Sequence, residues 1–165
     1  VIADVCRLAD SDRAALAGLL ERYGVELVEV KGADAPIPHT FWGEPEAGIA
    51  GKRIYVRGDT PIHSVLHELG HIVCMSAARR ARLRRHAGGT AIEECAVCYL
   101  QILLADYLPG FGRTRCIADM DAWGYSFREG SAANWFVGDG EFAAAWLRAA
   151  GIIDSSAQPS WVLHA

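Results

Sequence analysis

Two histidines four residues apart, with a glutamate beside the first, are the residues of this chain best suited to do chemistry: His67-Glu68-Leu69-Gly70-His71. On a helix, positions i and i+4 lie one above the other on one face, so both imidazoles can serve one metal ion. Glu68 sits one step round the helix, where its carboxylate reaches a water on the metal rather than the metal itself. Zinc-dependent hydrolysis needs that division of labour. At this composition the pattern arises by chance in about one chain in a hundred.

A catalytic zinc usually takes three protein ligands. A third histidine could follow in the same segment, as HExxHxxGxxH, but Cys74 and Ala77 stand where its glycine and last histidine would be. The remaining source is a carboxylate on a second, packed helix. Glu93 and Glu94 open the next long helical run. One of them can serve the helix dipole; the other, on an otherwise apolar helix, needs a partner if buried. The face through Glu93, Ala96, Val97, Leu100 and Leu104 is the more apolar, which favours Glu93 over Glu94. His63, four residues before His67, fits a supporting group, a substitute ligand or a plain helix-start residue. His86 is a weaker substitute. A donor for a developing oxyanion is sought at Tyr125 or Arg128, or at His39 or His86.

The elements that must position these groups are readable. Asp59-Thr60-Pro61 predicts a helix start, with Asp59 or Thr60 as N-cap and Pro61 at the first helical position. Ile62, Val65, Leu66, Leu69, Ile72 and Val73 give that helix a broad apolar surface, and Gly70 suggests close backbone approach. A helix is expected from Asp10 or Ser11 to Tyr23, a strand over Val25–Val30, and a long loop from Lys31 to Glu46. Phe41 and Trp42 in that loop are local anchors or cleft walls. Ala47–Val56 reads as two short strands around a Gly-Lys turn. Helices follow at about Ala91–Asp106 and Gly140–Ala150, the latter capped by Asp139. Phe111–Gly138 reads as irregular and aromatic-rich.

The chain has 165 residues, 52% of them apolar, which predicts a single domain with a sizeable core. A net charge of −4 gives no basis for general nucleic-acid binding. No apolar run is long enough for a membrane span. Arg79–Arg85 holds five arginines: either a solvated cationic helix end or a docking patch for an acidic partner. Five cysteines, including the Cys95–Cys98 pair within an apolar helix, read as free thiols in a reducing cytoplasm.

The strand Arg53-Ile54-Tyr55-Val56, then Leu66-His67-Glu68-Leu69-Gly70-His71, then Glu93-x-x-Ala96 with Tyr99 and Leu103-Leu104, resembles the gluzincin-type zincins. Within them it is similar to the ImmA/IrrE metallopeptidase family. The resemblance covers residues 48–105. It implies an α+β, zincin-like fold: a small twisted sheet packed on the HExxH helix and on a second ligand-bearing helix. It further implies a zinc metallopeptidase acting on a peptide or protein. The segment after Asp106 matches nothing in that family and lacks a helix-turn-helix. A looser resemblance, to the HExxH-bearing elongation factor P hydroxylases, implies oxidation instead. Two histidines and a carboxylate also suit iron(II) in an oxygenase. A third possibility is a structural metal in an interaction domain.

Overall fold

The chain enters through a 3-10 turn, Leu8–Asp10, and α1, Arg13–Glu21; residues 3–165 are described by a computed structural model. The Asp12 carboxylate caps α1 by accepting the Ala15 amide. A three-stranded sheet follows from β1, Glu26–Glu29, β2, Gly48–Ala50, and β3, Arg53–Val56. Central β3 lies parallel to β1 and antiparallel to β2. The expected β2–β3 hairpin turns at Gly51, whose φ of 57° suits glycine.

The outer edge of β2 is covered. The Ile49 amide donates to the His39 carbonyl, and the Ile49 carbonyl accepts from the Arg85 amide. Gly48 permits this packing, since any Cβ there would overlap the Pro38 carbonyl.

Strand β3 leads into α2, Ile62–Cys74, which carries the HExxH motif. Val65, Leu66, Leu69, Ile72 and Val73 are fully enclosed in the core. The helix start differs from expectation by one position: Pro61 is the N-cap. Thr60 and Asp59 close the preceding turn instead. Thr60 Oγ1 accepts the Arg57 amide, and the Asp59 carboxylate takes two bonds from the Arg57 guanidinium.

After the short α3, Ala77–Ala81, comes α4, Ala91–Ala105, capped by Thr90. Helices α2 and α4 pack side by side. A Cβ on Gly70 would lie 2.9 Å from Val97 Cγ1 and 3.2 Å from the Val97 carbonyl oxygen, so this glycine sets their separation. The far side of α4 receives α7, Gly140–Ala149. The Asp139 carboxylate does not cap α7; it holds Arg128 at 2.7 Å.

Two helices occupy the stretch expected to be irregular: α5, Gly112–Trp123, and α6, Ala132–Val137. In α5 only Cys116, Asp119 and Met120 are buried. A stripe that narrow, with an aspartate in it, leaves little hydrophobic periodicity to read.

The arginine run is only partly free. Arg80 is buried and donates to the carbonyls of Ile72 and Met75 at the end of α2, and to that of His164. Arg79 is paired internally, while Arg82, Arg84 and Arg85 are exposed. All five cysteines are free; Cys74, Cys98 and Cys116 are buried, Cys6 and Cys95 half-buried. No helix among the described residues is long and apolar enough to cross a membrane.

Candidate metal centre

The carboxylate facing the motif histidines is that of Glu94. One oxygen lies 3.1 Å from His67 Nε2 and the other 3.4 Å from His71 Nε2. Glu93 points elsewhere. It takes both its bonds from Arg79, at 2.9 and 2.8 Å. The preference for Glu93 is therefore corrected, for two physical reasons. Helix α4 is buried nearly all round from Ala96 to Ala105, so its most apolar face does not single out the side toward α2. The buried Glu93 also has an arginine as its partner, where the sequence reading sought a metal.

His67 is held from behind. Its Nδ1 lies 3.0 Å from Gln101 Oε1. The Gln101 amide nitrogen donates to the His63 carbonyl at 2.8 Å and to the Tyr125 hydroxyl at 3.3 Å. Since that nitrogen donates, Oε1 accepts, and His67 carries its proton on Nδ1. Its Nε2 is turned toward Glu94. Burial opposes protonation, but Tyr125, Cys98 and Glu94 outweigh it and hold the His67 pKa well above the usual value. In the metal-free chain Nε2 therefore also carries a proton, which a metal would displace. Once that proton leaves, the Nδ1–H tautomer that remains is the one a metal ligand needs, fixed by the bond its other nitrogen makes. The sequence reading passed over Gln101. The available signal was a lone amide on an apolar helix, which must find a partner when buried.

Burial, with His67 alongside, pushes the His71 pKa down to about 3, so that imidazole is neutral and a lone-pair donor. Two imidazole nitrogens and a carboxylate thus converge, with the His71 lone pair available and that of His67 freed by loss of one proton. That donor set fits a divalent metal such as zinc. Cys98, one turn beyond Glu94, also stands close: donor atoms of His67, Glu94 and Cys98 lie within 4.8 Å of one another.

Glu68 is buried beside the histidines. Burial pushes its pKa up to about 7, opposed by His67 and reinforced by Glu46 and Glu94. A carboxylate tuned near neutrality suits a general base.

Two cavities flank these residues and share His67, Glu68, Glu94 and Trp42. The first, about 310 Å³, is completed by Glu46, Ser64 and Trp123-Gly124-Tyr125. The second, about 420 Å³, is completed by Phe41, His71 and the loop from Arg85 to Ala91. The Phe41–Trp42 loop is thus a cleft wall. Tyr125 comes into the site; Arg128 does not, being exposed and paired with Asp139. His86 packs against Phe41 in the second cavity, with ring centroids 4.6 Å apart and the planes tilted by 55°. His39 packs on Tyr55 at 5.3 Å and lines a different surface hollow. His63 stands behind Tyr125, with its Nδ1 3.2 Å from the phenol oxygen.

Comparisons with protein-family models, with curated proteins and with solved structures return no match.

Proposed function

We propose that this chain is a zinc-dependent hydrolase with a zincin-like fold, most simply a metallopeptidase that cuts peptides or proteins in the cytoplasm. One observation carries the reading: a carboxylate from a second helix spans both Nε2 atoms of an HExxH pair. His67, His71 and Glu94 would hold the ion. The resemblance to gluzincin-type metallopeptidases supports the same assignment.

Zinc held by His67, His71 and Glu94 would supply Lewis acidity, enough to bring the pKa of a water there to about 7 and to polarise a carbonyl. Glu68 accepts the water's proton and returns it to the departing amine. Gln101 and His67 Nδ1 keep the ligand face of that imidazole turned inward.

Tyr125 supplies the oxyanion donor. Burial raises its phenol pKa, so the hydroxyl stays protonated. Gln101 Nε2 donates to that oxygen. His63 is kept neutral by burial, its pKa pushed down to about 3, and its Nε2 is buried without a partner. An orphan acceptor costs less than an orphan N–H, so His63 carries its proton on Nδ1 and donates it to the phenol oxygen. With two donors already on its oxygen, the Tyr125 O–H is free to donate into the cavity, to the oxygen that gains charge.

The test combines metal content with turnover. Mass spectrometry should find about one zinc per chain in wild type and in Glu93→Gln, and little in Glu94→Ala. Glu68→Gln should keep its zinc and lose about 10²- to 10⁴-fold in peptide hydrolysis. Wild-type turnover in Glu68→Gln, or undiminished zinc in Glu94→Ala, sinks the assignment. Iron as the resident metal turns the reading toward an oxygenase.

A further inference from the structure

We propose that the cavity beside Glu46 receives a basic side chain, lysine or arginine, from the substrate residue next to the bond that is cut. The proposal rests on the hydrolase reading for the bond and on the cavity alone for the charge.

The lining of this cavity contains three carboxylates, Glu46, Glu68 and Glu94, and neither lysine nor arginine. Glu94 faces the histidines and Glu68 is the base. Glu46 is the carboxylate left without a task in the reaction. Its Oε1 accepts the Trp123 indole N–H at 2.7 Å. Among the described residues its side chain makes that one hydrogen bond and no ion pair. The bond fixes the carboxylate in the cavity without neutralising it.

The walls suit a cation as well. Trp42 is 75% exposed and lines the same cavity, offering an open indole to a passing guanidinium or ammonium. Trp123 offers less, since Arg7 already lies 5.4 Å from its ring centroid. A carboxylate beside an exposed aromatic favours a charge-assisted hydrogen bond with a cation. An acidic side chain would meet like charge. An apolar one would cover Glu46 and leave it desolvated without a partner. At about 310 Å³ the space is at the small end of ligand sites, which suits one side chain better than a folded element.

The second cavity shares Glu68 and Glu94 with the first but adds a guanidinium, Arg85, that the first lacks. A substrate lying across His67 and Glu68 therefore meets the additional carboxylate, Glu46, on one side and the guanidinium of Arg85 on the other. Only one of the two orientations puts a basic residue on Glu46.

The probes are hexapeptides with one arginine placed at each position in turn, paired with peptides carrying neutral citrulline there. Binding is measured on the zinc-loaded Glu68→Gln chain, which cannot consume them, and cleavage on wild type. At one position the arginine peptide should bind about tenfold tighter than its citrulline twin. Adding Glu46→Gln should bring the two within about twofold of each other. That substitution keeps an acceptor for the Trp123 indole, so the loop stays anchored. Glu46→Lys should reverse the preference toward a glutamate-bearing peptide. Equal binding of the twins, or an arginine preference that survives Glu46→Gln, overturns the proposal. Peptides bound with the preference but left uncut by wild type would remove the hydrolase reading and leave the subsite standing. Cleavage without any preference would do the reverse.

Discussion

Gln101 Oε1 sits 3.0 Å from His67 Nδ1 and decides which nitrogen of that histidine faces the site. The amide is fully buried and its nitrogen is held by the His63 carbonyl, so it cannot flip without breaking that bond. A residue outside the lining of both cavities thereby orients one of the proposed ligands.

Replacing it gives a direct expectation. Gln101→Leu should weaken zinc binding about 10- to 100-fold, as loss of a ligand's outer partner commonly does. Gln101→Glu, which keeps the acceptor, should recover most of it. Competition with a chromophoric chelator reads both values, and equal affinities for the two variants would deny Gln101 its orienting role.

Glu93 and Glu94 should separate cleanly. Glu93→Gln removes the charge that Arg79 pairs with, in a partly buried setting. Its cost should be about 1 to 3 kcal/mol, below the full value for a buried pair because Arg79 is one-third exposed. Zinc stoichiometry should not change. Glu94→Gln should show the converse pattern: little loss of folding stability without metal and a large loss of zinc. Denaturant melts of the metal-free chains, set beside metal analysis, provide both readouts.

Gly70 offers a test of helix spacing. Gly70→Ala gains about 1 kcal/mol of helix propensity but pushes a methyl against Val97, at a cost of about 1 to 3 kcal/mol. The net should be destabilising. The shift of α4 should also carry Glu94 off the histidines and lower zinc affinity. Gly70→Ala with Val97→Ala removes the Cγ1 clash but leaves the nearby Val97 carbonyl, so rescue should be partial. Full rescue would mean that the backbone approach does not matter.

How far the sequence reaches can be judged from these same residues. HExxH, its helix and the second glutamate-bearing helix are legible because 3.6-residue periodicity and metal-ligand spacing are local properties. So is the role of Gly70, since a glycine inside a helix needs a reason. The choice between Glu93 and Glu94 is not local. It depends on where Arg79 ends up, fourteen residues earlier in the chain but beside Glu93 in space. Helix α5 escapes notice because its buried face is three residues wide. Tyr125 could be named as a donor from its type, but its distance from His63 and Gln101 is set entirely by how α5 ends, at Gly124 with φ of 102°.

Acid should weaken the metal-free fold through His63. Its pKa lies at about 3 in the folded chain and near 6.5 when unfolded. Below pH 6.5 the unfolded state takes up a proton that the folded state refuses. The stability present above pH 6.5 is therefore lost as pH falls toward about 3. For one such group the slope is at most about 1.4 kcal/mol per pH unit. His63→Gln should flatten the profile over that window relative to wild type, as chemical denaturation at stepped pH would show. Parallel profiles would mean that His63 accepts a proton in the folded protein.

The covered edge of β2 bears on selectivity. Its amides and carbonyls are already spent on His39 and Arg85, so a peptide in the neighbouring cleft finds no open ladder to zip onto at that strand. Strand addition rewards any extended backbone alike, whatever side chains it bears. On the proposed peptidase reading, a cleft denied that generic grip would recognise its substrate by what hangs off the chain. The proposed enzyme would then act less like a scavenger of unfolded polypeptide and more like a lock cut for few keys.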